Sequence, residues 1–133
     1  MKTIATIFAA AALAAGISPA ALAAGPTRVE RAEARLAEKL AGRVAGEPVR
    51  CISAPRSNDL QVIDNVGVVY DSGDTIYVAR PTNPRALGSS DALIIDRFGS
   101  QLCTSDMVRT FDRSAGHLNG VVFFEDFVPY KKA

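Results

Sequence analysis

The chain has 133 residues, with 15 Lys+Arg against 14 Asp+Glu, two Cys, one His and no Trp. This length holds one ordinary domain, and the near-neutral balance argues against nucleic-acid binding, which draws on a basic excess. A hydrophobic content of 48% excludes a wholly disordered or collagen-like chain.

The first element is an export signal. Lys2 gives a positive start, and Thr3 to Gly16 carries no charge and is mostly Ala, Ile, Leu and Phe. Ser18-Pro19 breaks the run, and Ala21-Leu22-Ala23 has the small-x-small form that a signal peptidase reads, with cleavage before Ala24 or Gly25. The run is too short for a membrane span of about 20 apolar residues. No Cys follows it, since the first is Cys51, so a lipid anchor at the cleavage point is not expected. Removing residues 1–23 takes Lys2 with it and leaves a balanced chain of 14 basic and 14 acidic residues. A periplasmic or secreted, soluble protein is the expectation.

Residues 24–46 read as an N-terminal helix or arm. Thr27-Arg28-Val29-Glu30 has the form of a capping box, in which a Thr hydroxyl and a Glu carboxylate satisfy each other's amides. Val29, Ala32, Leu36, Leu40 and Val44 fall on one stripe at helical spacing, and Gly42, Gly46 and Pro48 offer stops. The stripe is thin. Firm docking and a loosely attached arm are both open, and the helix's net positive charge leaves contact with anionic lipid as a further reading.

Residues 47–133 read as a β-rich domain. Runs at Val49–Ile52, Leu60–Ile63, Val66–Tyr70 and Thr75–Ala79 are followed by a Pro/Gly/Ser-rich loop from Arg80 to Asp91. Asp71-Ser72-Gly73-Asp74 is the clearest hairpin connection, with Val66, Val68 and Tyr70 on one face. Leu93–Ile95, Gln101–Cys103 and Met107–Phe111 continue the series, Asp112–Gly120 reads as a loop, and Val121–Val128 as a last strand stopped by Pro129. The expected fold is mainly β (α+β): a small curled antiparallel sheet or barrel of six to seven strands, preceded by one helix.

Cys51 and Cys103 carry the strongest chemical signal. Two cysteines in a small exported domain point to a disulfide, here on strands beside Ile52 and Leu102 where they would be buried and inert. Two free thiols, or a nucleophile assisted by His117, are the other readings. Two Cys and one His match no zinc motif, so no metal and no cofactor is expected. His117 lies in a loop with Ser105, Ser114, Asp106 and Asp112 available by composition, but no Gly-x-Ser-x-Gly elbow is present. Asp64, Asp71 and Asp74 lack a calcium-loop pattern, and Arg80 and Arg85 frame a loop that could meet an anion. Asp106, three residues after Cys103, reads as a turn residue bonding its own backbone.

Cys51-Ile52, Ile63-Asp64, Tyr70, Gly73, Tyr77-Val78, Leu87 and Leu102-Cys103 with Asp106 and Val108 together resemble a family of small exported proteobacterial proteins, a domain of unknown function. The similarity spans Val49 to Tyr130. It implies an exported β-rich domain and no particular activity. Its members often carry further cysteines near the positions of Leu87 and the last strand; those are absent here. The expected function is a non-enzymatic domain binding a protein partner or an envelope component. The alternative is a small periplasmic hydrolase using His117 with Asp106 or Asp112.

Overall fold

The computed structural model of the protein describes residues 25–56, 59–88 and 90–133. The export signal expected over residues 1–23 lies outside them. Helix α1 runs over Arg28–Lys39, opened by the capping box: the Thr27 hydroxyl accepts the Glu30 amide at 3.2 Å, and Glu30 accepts the Thr27 amide at 2.6 Å. The helix ends at Lys39, five residues before Val44, where the stripe would end it. Gly42, in the left-handed region at φ 75°, turns the chain into a short strand, β1 (Arg43–Ala45). Val44 is therefore a strand residue, exposed at a sheet edge.

Nine further strands follow: β2 (Cys51–Ser53), β3 (Leu60–Ile63), β4 (Gly67–Asp71), β5 (Thr75–Ala79), β6 (Asp91–Asp96), β7 (Gln101–Cys103), β8 (Met107–Asp112), β9 (His117–Val122) and β10 (Val128–Lys132). They form three antiparallel sheets with orders β1-β10-β5-β4-β3, β2-β7 and β6-β8-β9. The fold is mainly β with an N-terminal helix, as expected. The described strands number ten rather than six or seven, and no sheet closes into a barrel.

The large sheet is buried on both faces, which is why β4 and β5 are near-continuous apolar runs rather than alternating ones. On one side Ala32 and Leu36 of α1, 0% and 3% exposed, pack on Ile63, Val66, Val69, Ile76 and Val78. Val66 sits in the β3–β4 turn and joins this helix-side cluster, not Val68 and Tyr70 as its spacing suggested. On the other side Val68, Tyr70 and Ala79 meet Ile52, Leu87, Leu102 and Phe127, with Leu93 and Ile95 of β6 against them. The layers are thus helix, five-stranded sheet, and a second β layer. Gly67 is required where β4 meets β5: a Cβ there would collide with the Ala79 carbonyl oxygen.

The division at residue 46 does not separate an arm from a domain. β1 pairs with β10 in the register Arg43↔Lys132, Val44↔Lys131 and Ala45↔Tyr130. The helix is pinned as well: the Arg80 guanidinium donates to both Glu33 carboxylate oxygens at 2.7 and 3.2 Å. Helix α1 and β1 thus supply a layer and an edge strand of the same body.

Two other expectations are corrected. Asp112–Gly120 is not a loop but the tight turn Arg113–Gly116 followed by β9. Pro129 does not end a strand; it lies inside β10, between β1 and β5. Proline lacks an amide donor, so it is tolerated only where that donor has no ladder partner. The Pro129 carbonyl accepts from the Gly46 amide at 2.7 Å, so its polar edge faces the β1 side, where β1 has already ended at Ala45. Residues 123–127, expected within the last strand, instead cross between the layers through single bridges, Phe124 to Pro81 and Phe127 to Val49.

Candidate functional site

Cys51 and Cys103 face each other across β2 and β7 and are joined by a disulfide, with Cα atoms 4.0 Å apart. Cys51 is exposed and Cys103 half-buried, so the bond meets solvent rather than lying in the core. The reason is local: β2–β7 is a two-stranded ribbon whose middle pair, Ile52 and Leu102, turns inward while the flanking pairs turn outward. Asp106 plays the turn role expected of it, its Oδ2 accepting the Cys103 amide at 2.8 Å. The disulfide is therefore held in a fixed ribbon by backbone pairing on both sides.

Of the polar residues of the hydrolase alternative, His117, Asp112 and Ser114 meet at the β8–β9 turn, while Ser105 and Asp106 lie in the β7–β8 turn. His117 opens β9, exposed, across from Asp112. Asp112 Oδ1 accepts the Ser114 and Ala115 amides at 2.7 and 3.1 Å, and these bonds hold its carboxyl below the usual carboxylate range. That carboxylate anchors the turn and faces His117 across the ladder. Asp106 belongs to the β7–β8 turn. Asp64 and Asp71 lie at opposite ends of β4, so the acidic residues weighed for calcium do not gather. No group of three or more metal-binding side chains occurs among the described residues. Arg80 is taken by Glu33, which leaves Arg85 as the loop cation facing a cleft.

Two surfaces emerge that the sequence did not announce. The first is a cleft of about 470 Å³ between the β3–β4 turn and the three-stranded sheet. Asp64 and Asn65 of the β3–β4 turn form one wall, and Asp91, Thr110 and Asn119 of the three-stranded sheet another, with Arg28 and Arg85 alongside. Asn65, at φ 55°, turns its amide group onto the carbonyls of Pro84 and Leu87, each at 3.1 Å, and so fixes the loop that carries Arg85. Asn119 owes its position to a β-bulge. Thr110 pairs with Gly120 but Phe111 with Leu118, so Asn119 is the extra residue on β9. A bulge re-aims its side chain, and here Asn119 Nδ2 donates to Asp91 Oδ1 at 2.9 Å. The other Asp91 oxygen accepts the Gly88 amide at 2.7 Å.

The second surface is the outer face of β6-β8-β9. Cross-strand partners share a face, and the rows Ala92–Phe111–Leu118 and Ile94–Arg109–Val121 point away from the core, as do Asp96 and Met107. Ile94, Met107, Leu118 and Val121 are all exposed. The adjoining Phe98 is fully exposed and Phe123 largely so. Of the phenylalanines among the described residues, only Phe127 is fully buried. Arg109 and Asp96 form an ion pair at 2.9 Å in the midst of these apolar residues.

No helix among the described residues is long and apolar enough to cross a membrane, and the disulfide is consistent with an oxidising compartment. Comparison with models of protein families, with curated proteins and with solved structures finds no match.

Proposed function

We propose that the chain is an exported, non-enzymatic domain of the periplasm or extracellular space that binds a protein partner through the outer face of β6-β8-β9. The observation that carries this reading is the uncovered apolar face itself. From strand spacing and rise, the whole face of three six-residue strands is about 300 Å², and Ile94, Met107, Leu118 and Val121 are exposed on it beside the Arg109–Asp96 pair. The β8 face offers Met107, Arg109 and Phe111, residue types enriched at the centres of protein interfaces. A charged pair at the middle of the patch suits a protein surface with its own polar groups and disfavours burial in lipid. Export is supported by the signal-like residues 1–23, the disulfide and the resemblance to exported proteins.

Glutamate in place of Ile94 and Leu118 tests the reading. Both side chains are exposed, so melting should be little changed. Photo-crosslinking from position 107 in the periplasm should yield one stoichiometric adduct that the double variant loses. An adduct pattern unaffected by the substitutions would overturn the proposal, as would an adduct consisting only of a second copy of this chain.

A further inference from the structure

The cleft between the β layers contains a group that its own surroundings leave incomplete. Asp64 is 9% exposed. Its Oδ1 is buried without any hydrogen-bond partner, and its Oδ2 lies 3.8 Å from Arg28 Nη1, beyond hydrogen-bonding distance. A buried carboxylate is normally given several donors, because its desolvation is otherwise uncompensated. Asp91, a few residues from the same cleft floor, shows the ordinary solution: both of its oxygens are engaged by Asn119 and Gly88. Asp64 is thus a wall carboxylate short of a donor; it borders this cleft and also a smaller one beside Arg35 and Lys39.

The cleft also presents positive charge. Arg85 lines it from the loop that Asn65 clamps, and Arg28 from the first turn of α1. Both side chains are exposed and can turn towards an anion in the cleft. Cationic and anionic groups therefore border one space of about 470 Å³, within the range of small-ligand pockets and of a size for an amino acid or a dipeptide. Ala86 adds a short apolar stretch of wall that suits a small side chain.

We propose that this cleft binds a small zwitterion, an amino acid or dipeptide, giving its ammonium to Asp64 and its carboxylate to Arg85 and Arg28. Charge-assisted hydrogen bonds make each end worth more than a neutral contact. The site is separate from the outer face of β6-β8-β9, so it stands or falls independently of partner binding there.

Amide chemical-shift titration of the folded protein with L-alanine, alanyl-alanine, propylamine and propionate tests it. Saturable shifts should appear at Asp64, Asn65, Gly88 and Asn119 with at least one of the two zwitterions. Propylamine and propionate, each lacking one charge, should bind at least about tenfold more weakly, the effect expected for a lost charged hydrogen bond. Asp64→Asn preserves shape and should weaken the zwitterion by about tenfold or more. Arg85→Gln, at an exposed loop position, should do the same with no loss of fold, and keeps the test decisive if Asp64→Asn fails to fold. Shifts with neither zwitterion, equal affinity for propylamine, or unchanged binding in Arg85→Gln would each overturn the proposal.

Discussion

Opening the Cys51–Cys103 disulfide should remove a large part of the protein's margin of stability without first requiring it to unfold. The bond spans 52 positions of sequence. Loop-closure arithmetic for a ring of that size gives about 4 kcal/mol at 25 °C, through the entropy returned to the unfolded chain. Net stability of a small domain is of order 5–15 kcal/mol, so the reduced protein should retain a cooperative but weak transition. With a urea m-value near 1.5–2 kcal/mol per molar, the midpoint should fall by about 2–3 M. The assay is urea denaturation followed by far-UV circular dichroism for the oxidised protein, the protein in excess reductant, and the Cys51→Ser/Cys103→Ser variant. The exposure of Cys51 adds a kinetic expectation: reduction of the native protein should be first order in reductant and insensitive to low urea, since the sulfur is reached without opening the core. Coincident midpoints for oxidised and double-Ser proteins would refute the entropic argument. A reduction rate that rises steeply with sub-denaturing urea would refute the access argument.

Three further outcomes test the packing. Leu36→Ala, at the centre of the helix-side cluster, should cost about 2–5 kcal/mol in denaturant unfolding, whereas Val29→Ala on the exposed part of the same helix should cost under about 0.5 kcal/mol; equal effects would mean that α1 is not docked. Gly67→Ala should prevent normal pairing of β4 with β5, because the added methyl meets the Ala79 carbonyl, and a variant with unchanged melting would contradict that approach. Glu33 is held below its usual pKa, first by the hydrogen bond from Arg80, so its contribution is present above the ordinary carboxylate range and is lost as pH falls through its lowered value. Both partners are substantially exposed, which limits the effect to roughly 0–1 kcal/mol; Arg80→Met should flatten that part of the stability–pH curve, and an identical acid limb in the variant would exclude this pair as its source.

How much of this was legible depended on whether the signal was local. The capping box at Thr27 and Glu30, the Asp71–Asp74 hairpin and the Asp106 turn bond each lie within a few residues, and each stands as read. The pairing of Cys51 with Cys103 was legible by count, but their exposure was not, because it depends on which way a three-residue ribbon turns. β9 was invisible for a different reason. His-Leu-Asn-Gly-Val lies along a largely exposed strand interrupted by a bulge, so no period of two survives in it. Pro129 misled because its meaning depends on where a neighbouring strand, 84 positions earlier in sequence, happens to end. Neither candidate surface was legible. The cleft is assembled from α1, the β3–β4 turn, the Arg85 loop and a bulge on β9, and the outer face depends on knowing that no layer covers it.

The first and last strands of the described chain lie side by side, with Ala133 donating its amide to the Gly42 carbonyl. β10 is also the strand that joins β1 to β5, so the main sheet has a missing member until Tyr130 and its neighbours are in place. A polypeptide emerging N-terminus first therefore holds β1 without a partner until β10 has followed it. Completion of this sheet must await β10, and long-range pairing of that kind is slow. Until then β5 presents an open sheet edge to any helper that meets the chain.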